Sequence, residues 1–158
     1  MGTQTPSERL SSLGLVLPAV PVPQFAYVPA VVAGEFVYTA GQVPFVDGKL
    51  PATGKVGAEV EVADAAGLAR ICALNALAAA ASVAAGGLDG IERIVKVVVF
   101  VASAPGFGGQ PTVGNGASEL LLEVFGEAGK HARSAVGVFE LPLNAPVEVE
   151  LIAQLRSP

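Results

Sequence analysis

The stretch "HARSAVGVFELPLNAPVEVELIAQL" runs from His131 to Leu155, and its reading decides the fold. It reads as two strands separated by the turn signal "PLNAP". Alternation along the second strand puts Val147, Val149 and Leu151 on one face and Glu148, Glu150 and Ile152 on the other. The first strand opens with a single arginine, Arg133, beside the apolar run "SAVGVF". A buried guanidinium without a partner is strongly unfavourable, so Arg133 in this setting implies an anion. Its planar fork suits a carboxylate. Taken by themselves, the two glutamates and Arg133 also read as solvated surface charges.

Working backwards from this stretch, "ASELLLEVFGEAG" is a helix, with Asn115 or Ser118 as cap candidates. Before it, "APGFGGQPTVGNG" (104–116) reads as a Gly/Pro-rich loop. "IERIVKVVVFVAS" is β-branched and nearly continuous in apolar character, the pattern of a strand covered on both faces. "VADAAGLARICALNALAAAASVAAGG" is the strongest helix, with Asp64 as the expected cap and Gly86-Gly87 as the stop. From Tyr27, "YVPAVVAGEFVYTAGQVPFVDGKL" predicts two or three antiparallel strands with turns at "AGE" and "VDGK". Residues 1–23 form an extended, proline-rich lead-in, with a short helix expected over "PSERLSSLG". The element order is ββ(β)αβαββ, an α+β layer with two helices on one face of a mixed or mostly antiparallel sheet. One domain, 24–158, follows the lead-in.

Composition narrows the function. Apolar residues make up 52% of the 158 and charged ones 15%, against about 25% in an average protein. Few charges remain to cover a monomer, so a homo-oligomer is expected. The net charge is −5, and the nine Lys and Arg are scattered, which disfavours a nucleic-acid partner. The uncharged window Ile71–Leu88 is long enough to span a bilayer but is mostly Ala and Gly, so no membrane span is expected. The lone cysteine, Cys72, reads as a core residue, compatible with a reducing, cytoplasmic setting. His131, the only histidine, has no carboxylate neighbour in the sequence, and no metal-binding or nucleophile-elbow motif is present.

"GEFVYTAGQVP" (Gly34–Pro44), "IVKVVVFV" (Ile94–Val101) and "ARSAVGVFELPLNAPVEVELIA" (Ala132–Ala153) resemble the Rid family, also called the YjgF family and earlier labelled endoribonuclease L-PSP or translation inhibitors. The likeness covers roughly Tyr27 to Leu155, and Asn75 also fits it. The long lead-in and the 104–116 loop mark a divergent branch. The resemblance implies a chorismate-mutase-like fold and a homotrimer whose sheets form a barrel, with ligand clefts between subunits. It implies hydrolysis of reactive enamine and imine carboxylates, such as 2-aminoacrylate, to 2-keto acids and ammonia, with no metal or organic cofactor. A non-catalytic binder of small carboxylates is the alternative, and an endoribonuclease a more distant one.

By the same resemblance, Arg133 binds the substrate carboxylate and Glu148 positions or activates water. Tyr27, Gly41 and Asn115 line the pocket. Two positions depart from the family pattern. Ala40 stands where a serine is usual, and Ala135 where a cysteine is often found.

Overall fold

The computed structural model describes residues 4–157; residues 1–3, the start of the lead-in, and Pro158 lie outside the described residues. In chain order the elements are α1 (Pro6–Ser12), β1 (Ala30–Ala33), β2 (Phe36–Thr39), α2 (Val62–Val83), β3 (Ile91–Ala102), α3 (Gln110–Phe125), β4 (Ala132–Val138) and β5 (Val147–Leu155). Short 3-10 turns precede β3 and β4 and lie between β4 and β5.

The five strands form one sheet in the order β1-β2-β5-β3-β4. All neighbours are antiparallel except β3 and β4. That parallel pair needs a crossover, and α3 supplies it. The expected α+β architecture is the one observed. The early strands number two: "VDGK" closes only an isolated bridge, Val46 with Lys49.

β3 and β5 make the centre. Val97, Val99 and Val101 of β3 and Val147, Val149, Leu151 and Ala153 of β5 are buried on one face. Ala65, Ala69, Cys72, Ala76 and Leu77 of α2 meet them, with Leu120, Leu121 and Val124 of α3. The alanines let α2 lie close to the sheet, and this burial accounts for a helix that is otherwise long and apolar enough to cross a membrane. The opposite sheet face has no helix. Tyr38 and Val136 are exposed there, and Lys96, Val98, Phe100, Glu148 and Ile152 are half-buried. β3 is therefore covered by its own chain on one face only, not on both.

The lead-in is anchored to this body. A capping box starts α1: the Glu8 amide donates to Thr5 Oγ1 at 3.3 Å, and the Thr5 amide donates to Glu8 Oε2 at 2.8 Å. Leu10 is buried, and the Ser7 amide donates to Asp89 Oδ1 at 2.8 Å. Leu15 and Leu17 then pack against the core.

Two helix starts differ from expectation. Glu61, not Asp64, is the residue before α2; it makes no capping bond, and Asp64 lies in the first turn, near the positive helix end. α3 begins at Gln110, with Gly109 before it, so Asn115 and Ser118 lie inside the helix and residues 110–116 are not loop. Pro111 in the first turn suits a helix start. The glycines that suggested a loop serve packing instead. A Cβ on Gly116 would stand 1.8 Å from the Ala66 carbonyl oxygen of α2, and one on Gly114 would stand 3.1 Å from Arg133 Nη1. Close helix–helix approach outweighs the helix propensity that glycine forfeits.

This contact yields a paired prediction. Gly116→Ala forces α2 and α3 apart and costs about 1–3 kcal/mol. Gly67→Ala, where a Cβ meets nothing within 4 Å, gains about 0.5–1 kcal/mol from helix propensity. Urea unfolding of both variants against the parent checks the opposite signs.

Candidate functional site

Arg133 projects from β4 toward α3. Its register partner is Val97, which is buried on the helix-covered face. Nη1 donates to Asn115 Oδ1 at 3.0 Å and to Ser118 Oγ at 3.2 Å, and Nη2 donates to the Pro111 carbonyl at 3.2 Å. Residues 111, 115 and 118 recur at the spacing of one helix face. Gly114 leaves room for the guanidinium to lie against the helix. Nε makes no hydrogen bond among the described residues, and no carboxylate lies within ion-pair distance of Arg133. The result is a half-buried cation held by three neutral acceptors, with donors to spare for an outside anion.

Glu148 occupies the opposite face. It is the register partner of Phe100 on β3, one strand position out of phase with Val97. A backbone bridge fixes what lies beside it: the Gln42 amide donates to the Val149 carbonyl at 2.8 Å, and the Val149 amide donates to the Gln42 carbonyl at 2.9 Å. This clamp draws Gly41 against the carboxylate so closely that a Cβ there would fall 1.9 Å from Glu148 Oε1. Asn75 of α2 steadies the following loop by donating to the Val43 and Phe45 carbonyls, each at 3.1 Å. Burial, and then the charge of Glu150, push the Glu148 carboxyl above the ordinary glutamate range. No cation within ion-pair distance offsets this among the described residues.

Four of the five sequence-derived positions therefore fall into two half-sites. Arg133 and Asn115 meet at the α3–β4 side, and Glu148 and Gly41 meet on the uncovered sheet face. The chain does not bring Arg133 and Glu148 together, because the sheet lies between them. Tyr27 lies in the irregular segment before β1, more than half exposed, in contact with neither pair through any hydrogen bond of its side chain. Ala40 precedes Gly41, its amide donating to the Pro29 carbonyl at 2.8 Å, and Ala135 packs against the core. A cavity of about 410 Å³ between Pro18–Pro21, the loop from Gln42 to Gly48, and α2 includes none of the five residues. Sequence reasoning missed Ser118 as a partner of Arg133. Its signal was the helical spacing to Asn115 and Pro111, hidden while 104–116 was read as a loop. Among the described residues no cluster of His, Cys, Asp and Glu could hold a metal ion.

A helix-backed mixed sheet carrying a neutral-caged arginine on one face and a half-buried carboxylate on the other defines the class: a small α+β protein with two charged half-sites separated by its sheet. Over residues 7–155 the chain matches the family described as "YjgF/chorismate mutase-like, putative endoribonuclease", and it belongs to that family. It is 44% identical over 150 residues to Protein TCP17 of Trypanosoma cruzi, covering 94% of this chain and 93% of that one. The crystal structure of a "putative endoribonuclease" from Shewanella oneidensis superposes with a TM-score of 0.91 at 36% identity, covering 96% of this chain and 100% of the other. That of Escherichia coli TdcF with bound serine superposes with a TM-score of 0.62 at 27% identity, covering 87% and 94%.

The closeness of Gly41 to Glu148 is directly testable. Gly41→Ala meets only the end of a flexible side chain, so the fold survives with a stability loss of no more than about 1 kcal/mol. The carboxylate must nonetheless swing away from the backbone. Carboxyl-carbon NMR titration is expected to show the Glu148 pKa moving back toward the ordinary range as the group gains solvent.

Proposed function

We propose that this chain hydrolyses small reactive enamine and imine carboxylates to 2-keto acids and ammonia. The observation that carries the reading is Arg133, a guanidinium oriented by three neutral acceptors and without a carboxylate partner among the described residues. Such a group matches the carboxylate that these substrates share. TdcF, a relative of similar fold, carries bound serine, a ligand with that carboxylate.

The reading requires more than one copy of the chain. Arg133 and Glu148 stand on opposite sheet faces, so they can flank one substrate only if they come from different subunits. The uncovered face, with Tyr38, Val98, Phe100, Val136 and Ile152, offers the apolar surface for such contact. A homotrimer with clefts between subunits satisfies both needs.

In that cleft Arg133 holds the carboxylate, and the neighbouring imine carbon is the electrophile. An enamine first gains a proton at carbon to become the imine. Glu148 of the adjacent subunit takes a proton from water as the oxygen attacks. It delivers that proton to nitrogen to give the carbinolamine, then carries the hydroxyl proton to the same nitrogen as the C–N bond breaks and the C=O forms, releasing ammonia and the ketone. A carboxyl raised by burial suits this exchange near neutral pH. The substrate is already activated, so positioning supplies much of the acceleration.

The hydroxyl and thiol missing at Ala40 and Ala135 favour a second reading, a binder of small carboxylates without turnover. An imine generated in place by an amino-acid oxidase separates the two. Ketoacid release above buffer is expected from the parent protein, and Arg133→Ala lowers kcat/KM on the order of a hundredfold. Saturable ketoacid binding with no release above buffer selects the binder instead. Glu148 must be ionised to accept the proton, so the rate falls as pH drops through its raised pKa. The kcat/KM profile therefore has an acid limb above the usual glutamate range of about 4.3, and Glu148→Gln removes both that limb and most of the rate.

A further inference from the structure

Behind Arg133, Ser118 leads on to His131 and the Gly129 carbonyl, two groups that the reading above does not use. Ser118 Oγ, which accepts from Arg133 Nη1 at 3.2 Å, is also 2.9 Å from His131 Nε2. His131 Nδ1 is in turn 2.6 Å from the Gly129 carbonyl oxygen. Directions follow from the chemistry of each group. A carbonyl oxygen only accepts, so Nδ1 carries the proton and donates to Gly129. Nε2 then presents a lone pair, and the Ser118 hydroxyl must donate to it. With its one proton committed, Ser118 Oγ faces Arg133 as a pure acceptor.

The four groups form a one-way chain: Arg133 to Ser118, Ser118 to His131, His131 to the Gly129 carbonyl. Bonds aligned in this sense polarise one another and strengthen together. The neutral imidazole that the chain needs is consistent with its surroundings. Burial lowers the His131 pKa and the nearby Arg133 charge lowers it further, against an opposing effect of the Gly129 hydrogen bond. The anchoring end is firm. Gly129 is buried in the turn between α3 and β4, where a Cβ would come 2.2 Å from the Leu121 carbonyl oxygen.

We infer that Ser118 and His131 are positioning residues which fix the Arg133 guanidinium against α3, so that its Nε edge is presented to a small carboxylate. The relay leaves Nε–H and one Nη2–H as the donors not engaged among the described residues. Without it, Nη1 keeps only the exposed Asn115 as a side-chain acceptor. The guanidinium is then free to rotate, and ordering it becomes part of the cost of binding. This inference rests on the proposed carboxylate-binding role of Arg133.

His131 is the chain's only histidine, so its imidazole nitrogens give unambiguous NMR signals from the full-length protein. The experiment titrates 15N-labelled protein with pyruvate while binding is measured by calorimetry. In the parent, the imidazole shows the Nδ1–H tautomer, and its Nε2 resonance shifts as pyruvate saturates Arg133. Ser118→Ala weakens pyruvate binding roughly ten-fold, the loss expected for one charge-assisted hydrogen bond, and the Nε2 resonance no longer responds. Ser118→Thr, which keeps the hydroxyl, restores both. Unchanged pyruvate affinity in Ser118→Ala, with affinity lost in Arg133→Ala, overturns the positioning role and leaves the carboxylate reading intact. So does an Nε2–H tautomer in the parent. No pyruvate binding by the parent overturns the carboxylate reading and the positioning role together. Circular dichroism and sedimentation of each variant keep a folding defect from passing as a positioning effect, and Ser118→Thr supplies the comparison if Ser118→Ala fails to fold.

Discussion

α3 approaches α2 so closely that Gly116 lies against the Ala66 carbonyl with no room for a Cβ. No side chain separates the two backbones at that point, so the contact itself fixes how near α3 can sit. Everything at the α3–β4 side follows from it. Asn115, Ser118 and the Pro111 carbonyl are placed by the same helix, and together they set where the Arg133 head group rests. A packing constraint between two apolar helices thus becomes a geometric constraint on a charge. The cost of two glycines inside a helix is offset by that precision.

The second organising feature is the sheet itself. β3 carries Val97 toward the helices and Phe100 toward the uncovered face, and the strands on either side inherit that phase. Arg133 takes the first orientation and Glu148 the second. A sheet one residue thick therefore keeps a cation and an anion apart that would otherwise neutralise each other. Neither has an ion-pair partner among the described residues, and burial with the Glu150 charge raises the Glu148 carboxyl. Family membership and fold stand on the matched residues 7–155 and on the superposed structures. The proposed activity rests on the chemistry of the half-sites.

Much of this was legible in the sequence because its signals are local. The alanine-rich run defines α2, the β-branched run defines β3, and strict alternation assigns Glu148 and Val149 to opposite faces. Cys72 is buried as its mid-helix place implied. What failed to show depends on contacts between distant segments. Gly114 and Gly116 spoke for a loop by propensity, whereas their purpose is visible only beside Arg133 and Ala66. Asp64 had the chemistry of a cap, but the helix begins two residues earlier. The face taken by Arg133 depends on its parallel register with Val97 across the α3 crossover, which no periodicity within β4 encodes. Ser118 was placed at the start of that helix as a cap candidate, and its place on one helix face with Pro111 and Asn115 stayed hidden because the first turns of α3 read as loop.

Cys72 brings one more consequence. Its sulfur is sealed between α2 and β5, 3.5 Å from the Val147 carbonyl, and burial together with the Glu148 charge keeps the thiol protonated. With alanine at 135, the folded chain offers no second sulfhydryl to an electrophile. Alkylating reagents must wait for the layer between helix and sheet to part. The labelling rate of this single thiol is accordingly a clock for transient opening of the layer between α2 and the sheet.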